Sequence, residues 1–272
     1  MDNYFVSSCK RVKDWICRQF GQKEKKTVHH KKFADGGEVI VWETGRASEE
    51  AASYENLFLR KEIAGFRTNI RREQSCSIKS LTRDYLYEQL LNSGEYTFDH
   101  MLVIKDPYGE APLTALALFI LEEPACVRVT TKGDLKETDF VTELPKKKEH
   151  RVPILGMYAE KANTIVIEIL DDEGNCVKSP AFTIRTKRLP KSLRNVITVK
   201  KWTDKPAYSN IMINGGVKIH TCVFDIEGKI RYYLSRKPRG YGIFPLSDGH
   251  FFYMEKYISV PSYSNPQTVE SY

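Results

Sequence analysis

Six histidines and six cysteines are the side chains of this 272-residue sequence best suited to attack an electrophile, ligate a metal or move a proton near neutral pH. The cysteines, Cys9, Cys17, Cys76, Cys126, Cys176 and Cys222, are widely scattered and include no C-x-x-C pair. That spacing suggests neither a zinc site nor a dense disulfide framework. Cys126 and Cys222 lie in strand-like apolar runs and read as buried thiols. His29 and His30 stand in a basic tail and read as solvated, whereas His150, at the start of a strand, reads as structural. His220 and His250 fall among the strands near the C-terminus, where an imidazole could reach a ligand. His250 directly follows an Asp248-Gly249 turn, a position that suits a strand start.

Other motifs carry less chemistry. Asn214-Gly215-Gly216 lacks the strand-then-helix context of a phosphate loop and reads as a turn. Asp171-Asp172-Glu173 resembles a calcium loop in charge alone, without the ligand spacing. Tyr232-Tyr233 and Phe251-Phe252-Tyr253 could wall a site for an aromatic molecule, although strand alternation lets at most about half of them face one channel. No residue is assigned a catalytic or metal-binding role from its type and spacing.

The elements that must position these residues change character along the chain. Asn3 to Phe20 spaces Phe5, Val6, Cys9, Val12, Ile16 and Phe20 as an amphipathic helix would. Gln22 to Lys32 is nearly all polar and reads as a flexible linker. Glu38 to Trp42 suits a short strand, Ser48 to Ile63 a helix with Glu49 and Glu50 in its first turn, and Ile78 to Leu91 a second helix. In the latter Thr82 is a candidate cap, Tyr85, Leu86, Leu90 and Leu91 form the apolar face, and Asn92-Ser93-Gly94 is the terminator.

From about His100 the pattern is β. Met101–Lys105, Leu113–Leu121, Cys126–Thr131, His150–Leu155, Thr164–Leu170 and Cys176–Thr186 are strand-like runs separated by turn sequences such as Asp172-Glu173-Gly174-Asn175. Six or seven strands over this length predict an immunoglobulin-like β-sandwich at residues 98–188, preceded by a helical and basic N-terminal extension at 1–97. Beyond it, Ile219–Phe224 and Lys229–Leu234 predict a hairpin across Asp225-Ile226-Glu227-Gly228. Ile243–Leu246 and His250–Ile258 add further strands. Residues 192–272 thus match the first blade of a β-propeller that is incomplete, since roughly four to eight blades close a ring. A truncated product or partial sequence is the expectation that follows.

The formal net charge of +7 does not describe the whole chain. Residues 1–32 hold nine Lys/Arg against three Asp/Glu, and the remaining 240 hold 33 against 32. The basic excess is a tail, without an accompanying nucleic-acid motif, and no nucleic-acid partner is expected. No run approaches the roughly 20 apolar residues of a membrane span, and no secretory leader pattern stands at the N-terminus, so the expected location is cytoplasmic.

One set of motifs resembles a known family. Asp106-Pro107-Tyr108-Gly109-Glu110-Ala111-Pro112-Leu113-Thr114-Ala115-Leu116 is followed in order by Val127-Arg128-Val129-Thr130, His150-Arg151-Val152-Pro153-Ile154-Leu155-Gly156-Met157-Tyr158, Asn163-Thr164 and Asp171-Asp172-Glu173-Gly174-Asn175. This series resembles the N-terminal sandwich domain of the bacterial arylsulfate sulfotransferases. Phe224-Asp225-Ile226-Glu227-Gly228-Lys229-Ile230-Arg231-Tyr232-Tyr233 and Leu246-Ser247-Asp248-Gly249-His250 resemble the start of that family's propeller, so the likeness spans residues 94 to 272.

The resemblance implies sulfuryl transfer from a phenolic sulfate ester to a phenol acceptor through a sulfohistidine, with no cofactor or nucleotide sulfate donor. A neutral imidazole is the nucleophile, and Arg and His donors neutralise the sulfate oxygens. The family's catalytic His and Arg lie in later blades, beyond Tyr272, so none is carried over and whether this chain is an enzyme is left open. The expectation is an inactive N-terminal portion. The alternative is a non-enzymatic interaction or dimerisation module built on the sandwich, the domain through which the resemblance implies homodimers.

Overall fold

A computed structural model describes residues 28–33, 37–55, 73–200, 210–213, 220–235, 243–245 and 251–253. The helix expected at Asn3–Phe20, the loop Asn214–Gly216 and His250 lie outside these residues.

The described chain is mainly β. In order it forms β1 (Val28–Lys32), β2 (Glu38–Trp42), α1 (Thr44–Ala52), α2 (Glu73–Asn92), β3 (His100–Lys105), β4 (Ala115–Thr131), β5 (Phe140–Ile154), β6 (Ala162–Leu170), β7 (Cys176–Lys178) and β8 (Ala181–Arg185). Then follow β9 (Asn210–Ile213), β10 (Cys222–Asp225), β11 (Ile230–Tyr233), β12 (Ile243–Pro245) and β13 (Phe251–Tyr253). β1 to β8 belong to one hydrogen-bonded sheet. β9, β10 and β11 form a three-stranded antiparallel sheet, and β12 pairs with β13.

The eight-stranded sheet makes two layers because β4 and β5 belong to both. The first half of β4 lies between β3 and the end of β5; its second half lies between β6 and the start of β5. Register shifts between Ile120 and Val127 break the ladder where the strands pass from one layer to the other. Alternate residues of each layer then meet in a common core. Val39, Met101, Val103, Ala117, Phe119 and Val152 of the first layer pack with Val127, Val129, Ile165, Ile167, Phe182 and Ile184 of the second.

The first layer is also covered on its outer face. β2 and β3 run parallel, which requires a crossover, and α1 and α2 occupy it. Leu102, Ile104, Leu116 and Leu118 pack there against Ala47, Ala51, Leu86, Tyr87 and Leu91. Burial on both faces explains why Met101–Ile104 and Ala115–Phe119 read as unbroken apolar runs.

Several expectations are corrected in detail. Val28–Lys32, the end of the expected linker, is an edge strand held by its ladder to β2. α1 starts at Thr44, not Ser48, because the Thr44 hydroxyl donates to the Lys105 carbonyl (2.9 Å) and ties the helix start to the end of β3. Glu49 and Glu50 are therefore not in its first turn. α2 starts before Ile78, and Thr82 lies inside it with its hydroxyl on the Lys79 carbonyl, not at a cap. Gly94, at φ 73°, does end that helix. The strands expected at Leu113–Leu121 and Cys126–Thr131 are one strand, and His150–Leu155 is only the end of β5. Among the described strands β5 pairs on one side alone, and its exposed edge carries Pro145 and Lys146 to Lys148, residues that discourage edge-to-edge pairing.

Candidate functional site

The densest polar arrangement among the described residues lies where the turn between β10 and β11 meets the sandwich. Gly228, at φ 80°, closes that turn, and its N–H donates to the Asp225 carbonyl (2.8 Å). Asp225 Oδ1 accepts the backbone N–H groups of Glu227 and Lys229, both at 3.0 Å. The turn thus fixes a carboxylate, 0% exposed, at its own base.

Arg231, the second residue of β11, is 1% exposed. Its Nε donates to the Gly156 carbonyl (2.7 Å), and its Nη1 donates to the Thr138 carbonyl (2.7 Å) and the Tyr158 hydroxyl (3.0 Å). The same Nη1 lies 3.3 Å from Asp225 Oδ2. The guanidinium stacks on the Tyr158 ring, 3.9 Å from its centroid. Tyr158 donates to Asp225 Oδ2 (2.9 Å) and accepts the Asp134 N–H (3.1 Å).

The sandwich side is equally fixed. Asn163 accepts the Tyr158 N–H (2.6 Å) and donates to the Tyr158 carbonyl (2.9 Å) from a buried position. Gly156, at φ 76°, leaves room for Phe140, whose Cβ would lie 2.6 Å from an added methyl. Burial raises the Tyr158 hydroxyl pKa, although its hydrogen bond with Thr138 opposes this. The phenol is a spacer between an arginine and a carboxylate, and no group here is poised as a nucleophile.

A second junction is made by the loop Asp106 to Gly109. Asp106, at φ 44°, accepts the Ala111 N–H on its side chain (2.9 Å), and the Glu110 carbonyl accepts the Ser235 N–H (2.7 Å) just after β11. On the helical side the Tyr87 hydroxyl donates to the Pro107 carbonyl. Tyr108 and Arg151 both donate to Asp84, at 2.5 and 2.7 Å. Burial and the Asp84 carboxylate push the Tyr108 hydroxyl up to about 12. Beside this loop Arg83, 8% exposed, donates to Ser48 Oγ (2.6 Å), while its Nη1 has no partner.

The described histidines are dispersed. His150 is buried, stacks on Phe119 and uses Nε2 toward the Lys147 carbonyl (2.8 Å). Burial lowers its pKa, against the opposing effect of its backbone hydrogen bonds. His220 is buried against Tyr233, with Nδ1 2.7 Å from the Leu234 carbonyl. His29 and His30 are exposed on β1, beside Glu43 and Glu38 respectively. Cys222 is buried, and its thiol pKa is raised by burial; Cys126 is half-buried, Cys176 exposed, and all three are free. Tyr233 is buried and Tyr232 half-buried. Asp171 closes its turn by accepting the N–H groups of Glu173 and Asn175. Among the described residues no cluster of three or more His, Cys, Asp or Glu could hold a metal.

Residues 102–187 match the arylsulfotransferase Ig-like domain. That segment is an N-terminal region of the arylsulfotransferase family. The Ig-like domain runs from within β3 to just past β8, so β1, β2, both helices and β9 to β13 lie outside the match. No curated protein matches the chain. Within the Ig-like domain, the motif residues Asp106 to Gly109 meet α2, Gly156 and Tyr158 meet β11, and Asn163 holds the Tyr158 backbone. Among the described residues they hold elements together and present no nucleophile. Arg231 itself was missed in the sequence; the signal was an arginine inside the apolar strand Ile230-Arg231-Tyr232-Tyr233.

Proposed function

We propose that this chain is the N-terminal portion of an arylsulfate sulfotransferase, in which the Ig-like domain and its two junctions hold the first strands of a β-propeller in place. In the complete enzyme a propeller histidine takes the sulfuryl group from a phenolic sulfate ester and passes it to a phenol. The match of the Ig-like domain at residues 102–187 carries this reading. It is supported by the burial of Asp225 and Arg231, both from the propeller-like segment, against Tyr158 and Gly156 of the matched segment.

On this reading the chain alone is inactive in the transfer. Attack on sulfur needs a neutral imidazole with a free, accessible nitrogen. Of the described histidines, His150 and His220 are buried, each with one ring nitrogen on a backbone carbonyl, while His29, His30 and His100 lie beside surface carboxylates, whose negative charge opposes the approach of a sulfate ester; His250 lies outside the described residues.

Two measurements test the proposal. The purified chain should release no nitrophenolate from p-nitrophenyl sulfate in the presence of phenol. Turnover abolished by replacing one histidine would overturn its inactivity. Residues 98–235, exchanged for the equivalent region of an active arylsulfate sulfotransferase, should leave a folded and active chimera. A folded but inactive chimera would count against the assigned role.

A further inference from the structure

The N-terminal tail is not the only stretch in which cations outnumber acids. Residues 33–177 hold 17 Lys/Arg against 26 Asp/Glu, whereas the segment from Lys178 to Lys200, which ends the sandwich and leads out of it, holds seven against none. Two of the seven meet carboxylates: Lys178 pairs with Asp99, and Arg188 lies 3.5 Å from Glu160. Arg185, Lys191 and Lys200 are exposed and make no hydrogen bond or ion pair among the described residues. Arg194 uses Nε on the Leu189 carbonyl (2.9 Å) and meets no acid among those residues.

The fold brings the end of the tail to the same place. Phe33 packs on Phe182 of β8, with ring centroids 6.2 Å apart, and Lys31 of β1 donates through Nζ to the Thr183 carbonyl and, at 3.1 Å, to the Thr183 hydroxyl oxygen. Both acceptors are neutral. Burial, and then Lys105, lower the Lys31 pKa, the direction for an ammonium that no carboxylate holds. Arg185 stands two residues beyond Thr183 on the same side of β8, because strand side chains alternate. The sheet surface beside them is made of small neutral residues: Ala162 opposite Arg185, Thr164 opposite Thr183, and Ala181. Lys31 and Arg185 thus share a basic face, which Lys191 and Arg194 continue past the end of β8.

Such a face recognises charge density, and clusters of about four to eight Lys/Arg hold proteins on anionic lipid headgroups. The sequence that leads into β1 favours lipid over nucleic acid. Residues 1–27 add seven Lys/Arg against three Asp/Glu, and Phe5, Val6, Cys9, Val12, Ile16 and Phe20 recur among them at helical spacing. Apolar side chains on one side of a basic segment gain from burial between acyl chains, and a phosphodiester backbone offers them nothing.

We propose that the face formed by Lys31, Arg185, Lys191 and Arg194 rests on an anionic lipid surface. Headgroup phosphates and carboxylates take the donors that the protein leaves unused, and the basic sequence entering β1 reaches the same surface. This role does not depend on the arylsulfotransferase assignment.

The test sediments the whole chain with vesicles of phosphatidylcholine and phosphatidylserine, three to one, and with vesicles of phosphatidylcholine alone. The chain should bind the first at low salt, release them in half-molar sodium chloride, and ignore the second. Arg185→Gln with Lys191→Gln should weaken partitioning about 25-fold, or about five-fold for each cation removed. Lys147→Gln with Lys148→Gln removes the same charge from β5, at the opposite edge of that layer, and should change partitioning less than about two-fold. Both variants should keep the circular dichroism of the parent chain. Equal loss in the two double variants would show that net charge alone acts and would overturn the assigned face. Absence of binding to the anionic vesicles, equal binding to the neutral ones, or tighter binding of a DNA duplex at the same salt would overturn the lipid partner.

Discussion

The sandwich is joined to two neighbours, both through apolar contacts, and the two joints differ in the polar groups buried at their centres. On the outer face of the first layer, α1 and α2 are held by aliphatic and aromatic contacts: Leu86, Tyr87 and Leu91 on Leu102, Ile104, Leu116 and Leu118. At the other joint β10 and β11 are fixed by a buried arginine, a buried carboxylate and a buried phenol. An apolar joint gains from the area removed from water and tolerates changes of shape. A polar joint gains little net energy, yet it punishes any other alignment, because each misplaced donor or acceptor loses its partner inside the protein. The helical cover adds stability; the Arg231 joint fixes position. Each joint also contains one buried arginine, and the difference between Arg83 and Arg231 is the sharpest form of the contrast.

The largest expected effect comes from Arg231→Met. It strips Asp225 of its cation and leaves the Gly156 and Thr138 carbonyls without their donor. Breaking a buried pair by removing one partner costs about 3–5 kcal/mol. Amide exchange should rise first in 222–233 and leave the central strands protected. Leu102→Ala should cost about 2–5 kcal/mol by emptying space between sheet and helices. Its loss of protection should appear in α2 and β3 and spare the β10–β11 turn. Equal exchange profiles for the two variants would erase the distinction between the joints.

The third effect is smaller and differs in sign. Arg83 has no carboxylate among its hydrogen-bond partners in the described structure, only Ser48 Oγ; each of the two arginines leaves one nitrogen without a partner, but only Arg231 has a carboxylate to offset its burial. An unpaired buried guanidinium is a cost. Arg83→Met should therefore leave stability unchanged or raise it by about 1 kcal/mol, measured by urea denaturation. A loss comparable to that of Arg231→Met would mean that Arg83 is a structural pin of the same kind.

These joints also separate what the sequence could disclose from what it could not. The two-sided burial of Met101–Ile104 and Ala115–Phe119 was visible as apolar runs, and the turn Asp225 to Gly228 as a hairpin signal. β1 was not visible: Val28-His29-His30-Lys31-Lys32 has no apolar alternation, and its strand form comes from pairing with β2. The charged first half of β5 was missed for the same reason, since its ladder to β4 and not its composition makes it a strand. The motif run Asp106 to Gly109 was legible as unusual, but its role was not. Its partners, Asp84, Tyr87 and Ser235, are distant in sequence. The same distance hid the pairing of Arg231 with Tyr158.

The smallest effect concerns pH and distinguishes the sandwich core from both joints. His150 lies in the core with its pKa lowered from the ordinary 6.5, chiefly by burial. The unfolded chain therefore binds a proton more readily than the folded one between the lowered value and 6.5. Stability is fully present above about 6.5 and falls as the pH drops below it, until the folded histidine also protonates. Asp134 acts in a different window. Its pKa is lowered from 3.8 by hydrogen bonds from Lys161 and Lys229, so its contribution is fully present above 3.8 and is lost as the pH falls below that and through the lowered value. His150→Gln should keep a donor near the Lys147 carbonyl and flatten the stability profile just below pH 6.5, while the loss below pH 4 remains. If the slope below 6.5 survives, the proton is taken up elsewhere.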